Sequence, residues 1–448
     1  MKKIYFAILV LAGISNVANA QQSMKYRRSS LTNVLIESEG LGKSRDMVVK
    51  AYEANPFPDK YNQHVIKDKK FNVSKMTVTD SDMMLSGFLK DTLSTPKDIL
   101  GATLKLKSLR YLKADSSVAV VVPSEREMFQ IRLDKYIREK DVAKQLVSTW
   151  FNRTPDGNMN WDLIKERGMY SASASDMETA QMVGDMSNFL FDFDLIGNTF
   201  VVFNDMEFYE NEPVARILRD EAKIAAMKKL AGMPAPVVAK TMAAIDTLYV
   251  KTKEGYTVKC NTYLYQLDWN EDVANKYKQY FFNDNVDKVK AWDTTSIIKL
   301  KFVGKTVSGS IVTFKIGEKR TEEQIITLQV QRTIDNALAK LQKENIVFRP
   351  VTQIASVGPV TAKVGLKEGI EAKQSFDVLQ LETDSKGIPK WVTIGKVKVD
   401  KKAPVWDNRM GAEPALDEQG QPIPVLEFTT FSGGKKVDPS MHFLRSSK

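Results

Sequence analysis

A single cysteine, Cys260, in 448 residues obliges this chain to hold its fold by packing alone, because no intramolecular disulfide can form. Hydrophobic residues make up 43% of it, enough to fill sizeable cores. The length alone predicts about three domains. Within such cores Cys260 itself reads as a small apolar residue on a strand.

The first twenty residues carry the three parts of an export signal in order. Lys2 and Lys3 give a positive start, residues 4–12 an apolar stretch, and Ala18-Asn19-Ala20 a small-x-small cleavage site before Gln21. The stretch is shorter than the ~20 residues that span a bilayer, so a cleaved signal is expected rather than an anchor. Gln21 stands where a lipoprotein would carry its acylated cysteine, which argues against lipid attachment. No later segment is apolar and uncharged for long enough to cross as a helix; even the run 118–122 stops at Pro123. Long helical stretches between the strands disfavour an outer-membrane barrel. The mature chain is therefore expected in the periplasm or associated with the outer membrane or cell surface.

That location changes the meaning of the net charge of +10. An exported chain meets anionic envelope polymers and lipids before it meets nucleic acid, and nucleic-acid binding is disfavoured. The lysines are also dispersed. Lys67, Lys69 and Lys70, like Lys396, Lys398, Lys401 and Lys402, read as solvated strand faces and turns.

Residues 21–75 read as an N-terminal arm or linker, with a short helix at 44–54 and an extended path enforced by Pro56 and Pro58. Residues 76–195 read as a mixed, mainly helical region. It holds a helix near 98–112, a second opened by the Ser124-x-x-Glu127 capping box, a third over 141–151, and a fourth opened by Ser175-x-x-Glu178. Residues 196–346 read as an α+β sheet domain: a strand at 199–203, a charged, Ala-rich stretch over 215–240 made of a helix followed by the breaker Gly232-Met233-Pro234-Ala235-Pro236, hairpins 247–251/257–267 and 296–303/308–316, and a helix opened by Thr321-x-x-Gln324. Residues 347–430 carry short strands with Gly turns, as a small β-barrel or sandwich does, and 431–448 read as a tail. The fold class expected is multidomain α+β, with helices on one face of a largely antiparallel sheet and a β-rich C-terminal module.

Three stretches resemble exported Gram-negative envelope proteins of unknown function: residues 153–168, residues 195–205 and Lys25-Tyr26-Arg27-Arg28-Ser29-Ser30-Leu31. The resemblance transfers no catalytic residue. Separately, residues 362–370 with Ser375-Phe376-Asp377-Val378 are similar to the SH3-like C-terminal module of the flagellar assembly protein T family. That resemblance implies a compact barrel, entered by a Leu-x-Glu-Gly turn, with a binding or assembly role.

The chemistry available is narrow. His64 and His442 are the only histidines, one in the proline-rich segment and one near the C-terminus, which disfavours His-based triads and multi-His zinc sites. Phosphate-binding Gly loops and the nucleophile elbow are missing, so no cofactor or metal is expected. Carboxylate chemistry stays open, with Asp192, Asp194, Asp205 and Glu207 as candidates for a glycan hydrolase. Asp268, Asn270, Glu271 and Asp272 lack the EF-hand pattern and read as a helix start. Trp150, Trp161, Trp269 and Trp391 read as core rather than as sugar-stacking platforms. The favoured expectation is a non-enzymatic binding or assembly protein of the envelope, partnered by an envelope protein or an anionic polymer; the alternative is a carboxylate-dependent glycan hydrolase.

Overall fold

A computed structural model describes residues 28–85, 114–115, 118–119, 125–168, 193–281, 287–312, 320–383, 389–409, 412, 421, 427–434 and 437–447. The export signal, the helices expected at 98–112 and 175–190, and Ser124 of the first capping box lie outside these residues.

A mixed sheet forms the body. Strand β1 (Ser30–Glu37) is followed by helix α1 (Arg45–Glu53), and short strands β2 (Asn62–Gln63) and β3 (Lys70–Asn72) lie parallel along it. After α2 (Asp80–Leu85) and the small β4 (Ala114–Asp115) and β5 (Val118–Ala119) pair come α3 (Glu125–Glu139), α4 (Val142–Trp150), α5 (Asp162–Gly168) and α6 (Phe193–Gly197). Strand β6 (Thr199–Glu210) then joins β1 in parallel, from Ser30 opposite Thr199 to Ile36 opposite Asp205. A helical hairpin, α7 (Asn211–Lys229) and α8 (Ala235–Thr252), separates β6 from its antiparallel neighbour β7 (Tyr256–Leu267). Helices α9 (Glu271–Phe281) and α10 (Lys288–Thr294) precede β8 (Leu300–Val312), the other neighbour of β7, and α11 (Glu322–Glu344) follows. The order across the sheet is β2-β1-β6-β7-β8, with β3 also on β1.

Strand β6 explains how the sheet is covered. It is buried without interruption from Thr199 to Met206, as a strand shielded on both faces must be. Phe200, Val202 and Met206 pack with Leu31, Leu35, Val48, Ile326, Val330 and Ile334 under α1 and α11. Val201 and Phe203 pack with Val34, Ile36, Leu133, Tyr136 and Leu146 under α3 and α4. Helices therefore cover both faces, where one was expected. A third cluster holds the large aromatics Trp150, Phe151, Trp269, Tyr277, Phe281 and Trp292, with Phe151 and Tyr277 stacked at 4.7 Å. Helix α11 is long and well started: Thr321 Oγ1 accepts from the Gln324 amide while the Gln324 side chain accepts from the Thr321 amide, the capping box read from the sequence.

Four further expectations are corrected. Residues 28–75 are core rather than arm: β1 lies inside the sheet, and the segment after Pro58 is fastened by Tyr61, which stacks on Phe348 at 5.0 Å and donates to its carbonyl at 2.8 Å. The prolines punctuate a segment that returns to the sheet through β2 and β3. Residues 247–251, with their strand-like alternation, complete α8. Gly304-Lys305-Thr306 makes no turn, because β8 pairs with β7 straight through it; Gly304 sits at a bulge, where the register shifts between Leu264 and Tyr265. Finally, the expected tail is structural. Its buried His442, Phe443 and Leu444 form a barrel strand.

That barrel comprises β9 (Thr352–Ser356), β10 (Val360–Ala362), β11 (Ser375–Thr383), β12 (Pro389–Val399), β13 (Thr429–Gly433) and β14 (His442–Ser446), closed in the order β10-β13-β12-β11-β14-β9. Ile354, Val360, Phe376, Val378, Val397, Phe431 and Leu444 fill it. Leu366-Lys367-Glu368-Gly369 forms one tight helical turn, ended by Gly369 at φ +69°. The Glu368 carboxylate accepts from the Gly365 amide at 2.7 Å and from Asn408 Nδ2 at 2.9 Å. Arg349 joins barrel to body: its guanidinium donates to the carbonyls of Gln342 and Lys343 at the end of α11 and to those of Ser446, the last residue of β14, and Ser447 just after it, at 2.8 to 3.2 Å.

Candidate functional site

Of the four candidate carboxylates, two are brought together. Asp192 lies outside the described residues, and Asp194 falls in α6, the short helix before the strand that carries the other two. Asp205 and Glu207 are two apart on β6 and share a face. Ser38 Oγ donates to Asp205 Oδ1 at 2.8 Å, and Asn261 Nδ2 lies 3.5 Å from Asp205 Oδ2 and 3.3 Å from Glu207 Oε1. One amide thus bridges both groups. Lys259 Nζ reaches Glu207 Oε1 at 2.8 Å, and the Tyr209 hydroxyl donates to Glu207 Oε2. Beside them Lys305 Nζ lies 2.8 Å from the Tyr263 hydroxyl.

The environments push the two acidities apart. Burial raises the Asp205 carboxyl, with the Glu207 charge adding to it and the Ser38 and Asn261 hydrogen bonds opposing. Burial acts upward on Glu207 as well, but the Lys259 and Tyr209 hydrogen bonds outweigh it and the net direction is down. Such a split is what acid–base pairs use. Here, however, all four carboxylate oxygens already accept a hydrogen bond from this strip. Two clefts among the described residues lie elsewhere, one beside β1 lined by Tyr52, Phe57, His64 and Ile66, the other between α11 and the barrel. They enclose about 70 and 30 Å³, far below the roughly 300 Å³ that a small-molecule site begins with.

The remaining candidates are structural. His64 is buried at 1% exposure, donates from Nε2 to the Leu146 carbonyl at 2.8 Å and accepts Arg167 Nη1 at Nδ1 at 2.9 Å. Burial lowers it from 6.5 to about 3, so it stays neutral, and it belongs to the core rather than to an extended arm. His442 Nδ1 accepts from the Asp438 amide. Cys260 is fully buried and its thiol is pushed up to about 12 by burial, which leaves it inert. Asn270 Oδ1 accepts from the Val273 amide at 3.1 Å, so the acidic run 268–272 is the start of α9. Among the described residues no cluster of three or more His, Cys, Asp or Glu could hold a metal ion. Trp150 and Trp269 are buried, Trp161 packs edge-on to Phe151, and Trp391 packs edge-on to Phe443.

The feature that sequence reasoning passed over is the α7–α8 hairpin. Asn211 pins its base: the backbone amide donates to the Gly255 carbonyl, Nδ2 to the Glu254 carbonyl, and Oδ1 accepts from Thr257 at 2.7 Å. Lys223 with Asp246 at 2.6 Å, Tyr249 with Glu212 at 3.0 Å, and Arg219 over the Tyr249 ring then zip the helices together. Gly232, at φ +85°, and Pro234 make the turn. The helices pack chiefly on each other, and α8 has no buried residue. At 1.5 Å per residue each is about 27 Å long. Ala215, Arg219, Lys223 and Ala226 follow one side of α7 towards α8, while Val214, Ile217, Leu218 and Ile224 recur at three- and four-residue spacing on its outer side, each more than half exposed. On α8, Val237 and Leu248 are likewise exposed. Reading residues 215–240 as a helix followed by a breaker concealed this, since the apolar stripe becomes informative only when none of the described residues packs against it. No helix among the described residues is long and apolar enough to cross a membrane. No protein-family model matches the chain, and no curated protein is significantly similar to it.

Proposed function

We propose that this chain is an exported, non-enzymatic protein of the cell envelope with a binding or assembly role, and that the α7–α8 hairpin is its contact element. One observation carries the reading: two helices stand off the body with apolar side chains turned outward, Leu218 at 60% and Leu248 at 62% exposure. Apolar surface held away from the core is a cost unless something covers it. The ordered signal features of the first twenty residues support export, and the C-terminal barrel supports an assembly role. A photo-crosslinking residue placed at Leu218 or Leu248 in cells should trap a specific envelope adduct, while one at Ile394 on the barrel should not. Equal or absent crosslinking at all three sites, or recovery of the chain in the cytoplasm, would overturn the reading.

A second reading, a glycan hydrolase, is favoured only by the opposed acidities of Asp205 and Glu207 on one bridging amide. It requires release of sugar from envelope glycan that Glu207→Gln abolishes. Activity indifferent to that change removes it.

A further inference from the structure

The hairpin is chemically divided along its length. Its acidic residues, Glu212, Asp220, Glu221 and Asp246, all lie in the half nearer the sheet, where Arg216, Arg219 and Lys223 pair with three of them. Residues 222–245, which form the outer half and the turn, contain four lysines and no Asp or Glu. Lys223 reaches back to Asp246, whereas Lys228, Lys229 and Lys240 make no ion pair among the described residues. Between them the apolar side chains point outward: Met227 is 63% exposed, Met233 54% and Val237 44%.

Resting on the reading of this hairpin as the contact element, we propose that its tip docks on an anionic lipid surface. The tip of this hairpin is only two helices and a turn wide, and neither of the clefts described above is lined by any of its residues. A bilayer interface can deform around such a tip, accepting Met227, Met233 and Val237 into the acyl boundary while the lysine stems reach up to the headgroup phosphates. Flexible, unbranched Met suits a partner with no fixed shape. The absence of carboxylates removes the repulsion that an anionic headgroup layer would otherwise impose. The outer stripe at Val214, Ile217 and Leu218, flanked by acids, is left for protein contact.

The test is vesicle co-sedimentation with the chain purified from Gln21 onward, so that the apolar residues 4–12 cannot themselves insert. Vesicles of phosphatidylcholine alone are compared with vesicles holding about a third phosphatidylglycerol. Binding is expected only to the anionic vesicles and should weaken steeply between 0.05 and 0.5 M salt. Lys228→Glu/Lys229→Glu/Lys240→Glu should lower partitioning about a hundredfold or more. Met227→Ser/Met233→Ser should lower it several-fold, and Leu218→Ser should leave it unchanged; far-UV circular dichroism checks that each variant keeps its helices. Equal binding to neutral vesicles, or anionic binding untouched by the lysine reversals, overturns the proposal. If vesicles do not bind while crosslinks from Leu218 and Leu248 still form, the lipid surface is wrong and the contact role survives. If the tip variants instead abolish a crosslink to an acidic protein, that protein replaces the bilayer as the partner.

Discussion

Asp335 is the best place to test whether the junction between body and barrel has been understood. It lies on α11 at 7% exposure, its Oδ1 is 3.7 Å from Lys367 Nζ on the barrel turn, and its Oδ2 accepts no hydrogen bond. Burial raises its carboxyl from 3.8 to about 6, with Lys367 opposing and the neighbouring Glu368 charge adding. Because the folded state holds this proton more tightly than the unfolded chain, the stabilisation is fully present below pH 3.8 and is lost as pH rises through about 6. At about 1.4 kcal/mol per pH unit, the gap amounts to about 3 kcal/mol. Asp335→Asn cannot ionise and escapes that loss, although Lys367 gives up a partner. The variant should therefore exceed wild type by about 1–2 kcal/mol at pH 8 and match or fall below it at pH 4. Urea unfolding of both proteins at the two pH values measures the difference, in which the titration of carboxylates that do not interact with Asp335 cancels. A difference independent of pH, or a variant weaker at pH 8, would refute the assignment.

Other consequences are simpler. Arg349→Ala releases four carbonyls at once and should destabilise by on the order of 2 kcal/mol, with proteolysis appearing first between α11 and β9. Trp150→Ala removes a fully buried ring whose Nε1 donates to Thr199 Oγ1 at 2.8 Å; a loss of about 3–5 kcal/mol in thermal or denaturant unfolding is expected. In Gly309→Ala the new Cβ would lie 2.7 Å from the Val258 carbonyl oxygen, which is backbone and cannot swing aside, so a cost of about 1–3 kcal/mol should follow, read as a lower urea midpoint.

How much of this was readable beforehand depended on whether the signal was local. The α11 capping box, the α4 and α9 helices and the β-rich C-terminal module follow from short-range pattern, and each is present. The burial of β1 was not readable, because its eight residues acquire their meaning from β6, far along the chain. Gly304 misled because glycine serves bulges as readily as turns, and only pairing with β7 decides between them. The candidate carboxylates show the same limit. Their two-residue spacing was visible, whereas the strand expected to stop at residue 203 runs on to Glu210 and so puts them on one face, and the Asn261 amide that ties Asp205 to Glu207 comes from β7. The hairpin's exposure is the extreme case, since it is defined by what fails to pack there.

The parallel pairing of β1 with β6 also sets a timetable. Ser30 and Thr199 are separated by about 170 residues, and closing so long a loop is slow. Until β6 is available, Leu31, Val34, Leu35 and Ile36 form an apolar edge whose partner is missing. Any chain held unfolded for transport passes through that interval, and its yield will then be governed by whatever shields this strand while it waits.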